Sequence, residues 1–264
     1  MNIAPTSLQL PFSGSDELKE SYSNYGQDIF VLSCLNGKRG GKFLDLGCQH
    51  PIHHNRTYLL ENKFGWEGVS ITPQRTRTPC PWSIRTSLAL VKDCTLITPT
   101  QFDFVISTIV KGAGTKEAWD HCPTATKAAV IQNSIDLVKG KAPEHIDYLS
   151  ISLSPASATM QCLYSVPFDR VAFSIITYTH DSSKSSWPDK FGSISSDMSR
   201  NVIESYGYKR ICSNVASGEN FVEDWYYNPE FVSYERIRSL ESEGKEWNEI
   251  IFLEDGENQN EKGY

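Results

Sequence analysis

Residues Gly41–Gln74 read GKFLDLGCQHPIHHNRTYLLENKFGWEGVSITPQ. Lys42–Leu46 is a short run, apolar on both faces except for Asp45, as expected of a strand at the centre of a parallel sheet. Gly47 follows, where a missing side chain lets the backbone come close to a ligand. Asn55 is placed to cap a helix running to Lys63, with Leu60 and Phe64 on one face and Gly65 as its stop. A second strand, EGVSIT, follows and ends in Thr72-Pro73-Gln74. Strand, turn, helix and strand make a βαβ unit, and ligands sit at the carboxyl ends of such strands. A carboxylate often closes the second strand of a nucleotide-binding sheet, because it accepts two hydrogen bonds from a ribose. Threonine stands there instead.

Working outward, the remaining pattern alternates in the same way. SYSNYGQDIFVLSCLNG reads as a helix stopped at Gly37, with Ile29, Leu32 and Leu35 at helical spacing. SLALV, FDFVIST (Phe102–Thr108), IDYLSISL and VAFSIITYT read as strands. TATKAAVIQNSIDLVKG, a segment from Ala158 to Tyr164, SRNVIESYGY and YERIRSLESEG read as helices. KRICSNV and DWYYNP read as an antiparallel closing hairpin. These elements predict one α/β domain with a mostly parallel sheet covered on both faces. The expected divisions are an N-terminal arm (1–21), the domain (22–253) and a flexible acidic tail (254–264).

The chain has 264 residues, 39% of them hydrophobic, so it can bury a sizeable core. A net charge of -7 disfavours broad nucleic-acid binding. Seven widely spaced cysteines without a Cys-x-x-Cys pair read as reduced thiols and point to a cytoplasmic protein. No apolar run reaches membrane-spanning length, so no membrane partner is expected.

The ordered set SNYGQD, FLDLGCQHP, NRTYLLE, FGWEGVSI, IDYLSI, VPFDRVAFSIITYTHD and ESYGY resembles the FkbM-type methyltransferases, class I enzymes that use S-adenosylmethionine. The resemblance covers about Tyr22 to Tyr226 and implies a class I methyltransferase-like, Rossmann-like sheet. It implies O-methylation of a sugar or hydroxylated metabolite, with Asp45, Gly47, Cys48, His50, Thr72 and Gln74 around the cofactor. The chain also departs from the family pattern. Thr72, Ser152, Ser154 and Thr179 stand where that pattern places acids, all at strand ends expected to face one cleft. A cofactor bound differently explains this, and so does a catalytically inactive relative that serves as a binding or assembly module with a protein partner.

Methyl transfer to a hydroxyl gains from a base. His180 and Asp181 are the remaining candidates, at the end of an apolar strand. His50, His53 and His54 in HPIHHN lack a nearby carboxylate, which argues against a metal site, and the family resemblance implies a structural role for His50 in the turn. His121 and His145 are expected in loops. Trp66 is expected to pack between a helix end and the next strand, and Trp187 to sit in a Ser-rich loop that forms a lid or acceptor wall. A nicotinamide dehydrogenase is excluded by the absence of Gly-x-Gly-x-x-Gly after the first strand.

Overall fold

The structure, a computed structural model, describes residues 8–48, 50–72, 88–91, 144–182 and 191–253. The strands are β1 (Lys42–Leu46), β2 (Glu67–Thr72), β3 (Leu88–Val91), β4 (Glu144–Ile151), β5 (Val171–Thr179), β6 (Lys209–Ser217), β7 (Asn220–Tyr227) and β8 (Ser242–Glu243). They form one mixed sheet in the order β3-β2-β1-β4-β5-β7-β6-β8. β1 to β5 run parallel, and β7 lies antiparallel between β5 and β6. The chain steps outward from β1 to β3 and then returns to β4 on the other side of β1. The switch point therefore lies between β1 and β4, at their carboxyl ends.

Both faces of the sheet are covered. Leu44, Leu46, Val69, Ile71, Leu149, Ile151, Ile176 and Tyr178 pack against α3 (Ala156–Ser165) and α4 (Phe191–Ser205). Phe43, Tyr148, Ile175, Trp225 and Tyr227 pack on the opposite face. They meet α1 (Gln27–Cys34), α2 (Tyr58–Phe64), α5 (Tyr234–Ile237) and α6 (Trp247–Ile251). The split follows from strand alternation, which sends successive side chains to opposite faces.

The expected α/β architecture and the closing hairpin are present, with several boundaries shifted. The first helix begins only at Gln27, because Gly26 takes a left-handed φ of 70° that a helix cannot contain. The segment assigned to a separate arm belongs to the core from Leu8 onward, since Leu8, Phe12 and Leu18 are buried there. His145 lies on β4 rather than in a loop, with its Nε2 2.8 Å from Ser174 Oγ on β5. Trp66 packs as expected: it is buried and donates from Nε1 to the Lys38 carbonyl at 2.7 Å. Phe102–Thr108, the helix expected after Thr124, His121, Trp187 and the acidic tail lie outside the described residues.

Candidate functional site

The α1-side face of the sheet changes character along the strands. Near the amino ends it carries Phe43, Tyr148, Ile175 and Tyr227. Toward the carboxyl ends a polar row crosses the strands in register. Ser70 on β2 pairs with Asp45 on β1, Asp45 with Ser150 on β4, and Ser150 with Thr177 on β5. Asp45 is fully buried, and Ser70, Ser150 and Thr177 are nearly or completely so. One step further on, Thr179 pairs with Glu223 on β7. Glu223 faces this side, because Trp225 two residues on packs there.

Three chain segments distant in sequence meet at Glu223. Gln27 Nε2 lies 3.0 Å from each of its carboxylate oxygens. Thr179 Oγ1 donates to Oε1 at 2.8 Å, and Trp225 Nε1 to Oε2 at 2.8 Å. The position where the family pattern would put an acid on β5 thus holds a threonine bonded to a carboxylate from β7. Gln27 is fixed from below by the turn of the SNYGQD stretch. Asp28 beside it accepts from Ser21 Oγ and Ser23 Oγ, both at 2.6 Å, and from the Tyr22 N–H at 2.9 Å. Burial pushes the Asp28 carboxyl up, and the Ser21 and Ser23 bonds offset part of that.

Arg56 completes the cluster. It follows Asn55, whose Oδ1 accepts from the Thr57 and Tyr58 N–H groups at 2.9 and 2.7 Å and so starts α2. Its side chain is only 8% exposed, and its Nη2 approaches Glu223 Oε1 to 3.8 Å. The same Nη2 donates to Ser152 Oγ, just past the end of β4, at 2.6 Å. Burial works against the charge on Arg56. Glu223 and Asp45 outweigh it and hold the guanidinium above its ordinary pKa. Arg56 Nε, Ser70 Oγ and Ser150 Oγ are buried and make no hydrogen bond among the described residues.

The residues proposed from sequence fall into separate groups. Asp45 lies in the polar row. Gly47 has a φ of 99°, and a Cβ there would sit 2.0 Å from the Ser152 carbonyl oxygen. Its small size therefore lets the chain just past β4 approach. Cys48 and His50 shape the turn: Asn55 Nδ2 lies 3.0 Å from Cys48 Sγ and 2.7 Å from the His50 carbonyl. His50 Nδ1 accepts the Ile52 and His53 N–H groups at 3.0 Å each. Burial, then the neighbouring His53 and His54, lower the His50 pKa. Thr72 closes β2 opposite Val91, and Gln74 lies outside the described residues. Ser154 is exposed on the loop before α3.

His180 stands apart from this cluster. It follows Thr179 and so turns to the opposite face of the sheet. The ring is fully buried, and Nδ1 accepts the Ser182 N–H at 3.1 Å. Nε2 faces Asp224 Oδ1 at 3.4 Å, an electrostatic contact rather than a well-formed hydrogen bond. A base needs a nitrogen within reach of its substrate. Here one ring nitrogen is taken by backbone and the other faces a buried carboxylate. Asp181, with a left-handed φ of 50°, donates its N–H to the Val222 carbonyl at 3.1 Å.

Sequence reasoning found Asp45 from its Asp-x-Gly context but missed Gln27, Arg56 and Glu223. The available signal was the charge of Arg56 just before the apolar run Tyr58–Leu60 and of Glu223 in a strand rich in aromatics. Among the described residues, no group of three His, Cys, Asp or Glu side chains is placed to hold a metal ion. Among the same residues, no helix is long and apolar enough to cross a membrane. No family model, no curated protein and no solved structure matches this chain.

Proposed function

We propose that the chain binds S-adenosylmethionine at the carboxyl ends of β1, β2 and β4 and transfers its methyl group to a hydroxyl of a sugar or small metabolite. The observation that carries this reading is the buried polar cluster at the switch point. Among the described residues it sets the carboxylates of Asp45 and Glu223 beside the guanidinium of Arg56, and carboxylates suit a cationic sulfonium ligand. Arg56 Nε, Ser70 Oγ and Ser150 Oγ supply hydrogen-bonding atoms that the protein itself leaves unused there. The order of strands and the antiparallel hairpin agree with the class I fold that the sequence resemblance implies. When bound, the cofactor supplies an electrophilic methyl group. The protein's part is placement: Asp45 and Glu223 bring carboxylates to the carboxyl ends of the strands, where β2 closes at Thr72.

A second reading, a binding module of the same fold without catalysis, is favoured by His180, whose ring is committed to Ser182 and Asp224. Calorimetric titration with S-adenosylmethionine and S-adenosylhomocysteine separates the two readings, followed by a methyl-transfer screen over hydroxylated acceptors. Binding with transfer supports the enzyme. Binding without transfer to any acceptor supports the module. At one hundred times its dissociation constant a ligand adds about 2.7 kcal/mol of stability. No heat and no thermal shift at millimolar ligand would remove the cofactor from both readings.

A further inference from the structure

We propose that Arg56 is the anion receptor of this site and takes the carboxylate at the amino-acid end of the bound cofactor. The inference rests on the S-adenosylmethionine reading and adds the residue that recognises one end of that ligand. An arginine that is 8% exposed needs a carboxylate or several acceptors to offset its lost hydration. Arg56 has neither in full. Its short bond goes to the neutral hydroxyl of Ser152 at 2.6 Å. The nearest carboxylate oxygen, on Glu223, is 3.8 Å away and already bonded to Gln27 and Thr179. Nε is buried and makes no hydrogen bond among the described residues. A guanidinium presents its donors as a planar fork that matches a carboxylate, and this one lies at the carboxyl end of β4 beside the switch point. Ser152 is central to the argument. An acid at that position would satisfy Arg56 internally, and serine leaves the partner to be supplied by the ligand. The adjacent negative charge of Asp45 suits the ammonium and sulfonium groups that accompany that carboxylate.

The test compares S-adenosylhomocysteine with its decarboxylated analogue and with methylthioadenosine, which lacks the whole amino-acid end. Calorimetry is run on the full chain and on the Arg56→Gln and Ser152→Asp variants. The wild type is expected to prefer S-adenosylhomocysteine over the decarboxylated analogue by about ten- to a hundred-fold, the range for a hydrogen-bonded charge pair. Both variants should bring that ratio close to one. Ser152→Asp retains the arginine and should at least match the wild type in thermal stability, so it serves if Arg56→Gln folds poorly. A ratio near one in the wild type, or a preference that survives in both variants, overturns the role of Arg56 and leaves the cofactor reading standing. If no adenosyl ligand binds, the cofactor reading fails. Thermal shifts with free methionine and acetate then decide Arg56 separately: protection lost in Arg56→Gln supports an anion receptor for another ligand, and no protection removes it.

Discussion

Two buried acids sit side by side on β7 and face opposite sides of the sheet. Asp224 is the closed one. Arg200 grips it with Nε at 2.7 Å and Nη2 at 3.0 Å, and the Asn214 N–H adds a bond at 2.7 Å. The same arginine donates to Asn214 Oδ1 at 2.7 Å, so its fork is used within the fold. Glu223 is well bonded too, but its arginine is not: Arg56 stays 3.8 Å away and spends its short bond on a serine. The difference separates an arginine that ties α4 to the hairpin from one buried at the switch point with a donor, Nε, that has no partner among the described residues. A charge network built only for stability resembles the first, whereas a network that must also meet a ligand resembles the second.

The comparison can be broken most directly at Asp224. Asp224→Ala leaves Arg200 and His180 facing a hole and should cost about 3–5 kcal/mol in urea unfolding, the usual cost of splitting a buried pair. A loss below 1 kcal/mol would remove the structural role assigned to that side. Gly47→Ala comes next. The added methyl meets the Ser152 carbonyl at a positive φ, so it should cost about 1–3 kcal/mol. It should also weaken ligand binding by displacing Ser152 from Arg56, while a chemical-shift map leaves Arg200 and Asp224 unchanged. Arg56→Gln should cost only about 1–2 kcal/mol, because it gives up one strong hydrogen bond within the protein. A loss equal to that of Asp224→Ala would make the two arginines equivalent.

The smallest effect is in pH. Burial raises the Asp224 carboxyl, but His180 and Arg200 pull it further down, to well below the usual carboxylate range. A carboxylate depressed in the folded state stabilises it above its unfolded pKa of about 4 and loses that contribution as pH falls further. Unfolding measured from pH 6 to pH 3 should therefore show the wild type losing its advantage over Asp224→Asn below about pH 4. An advantage that holds constant to pH 3 would contradict the pairing.

The elements were legible where apolar runs are long and bounded. Val171–Thr179 falls where VAFSIITYT places it, the hairpin forms on KRICSNV and DWYYNP with β7 beginning four residues earlier at Asn220, and Gly65 ends α2 as read. The start of α1 was misplaced because the aromatic and serine residues before Gly26 fit a helical pattern, whereas their backbone instead wraps around the Asp28 carboxylate. His145 reads as a loop residue from sequence, whereas β4 extends back to Glu144 and includes it. The site itself was only partly readable. Asp45 announces itself locally. Gln27, Arg56 and Glu223 become one cluster only through the β5–β7 register and the position of α1 over the sheet, and neither is written in any short window.

The antiparallel bridge from Leu8 to Phe252, with the Gln9 N–H bonded to the Ile251 carbonyl at 2.8 Å, bears on how the protein is made. Leu8 and Phe12 belong to the same apolar cluster as Ile250 and Ile251. During synthesis the first of these emerges from the ribosome long before the last. The layer over Phe43 and Trp225 therefore stays unsealed until translation reaches Phe252. Until then that apolar layer is uncovered, and exposed apolar surface of this kind makes a folding chain prone to aggregate.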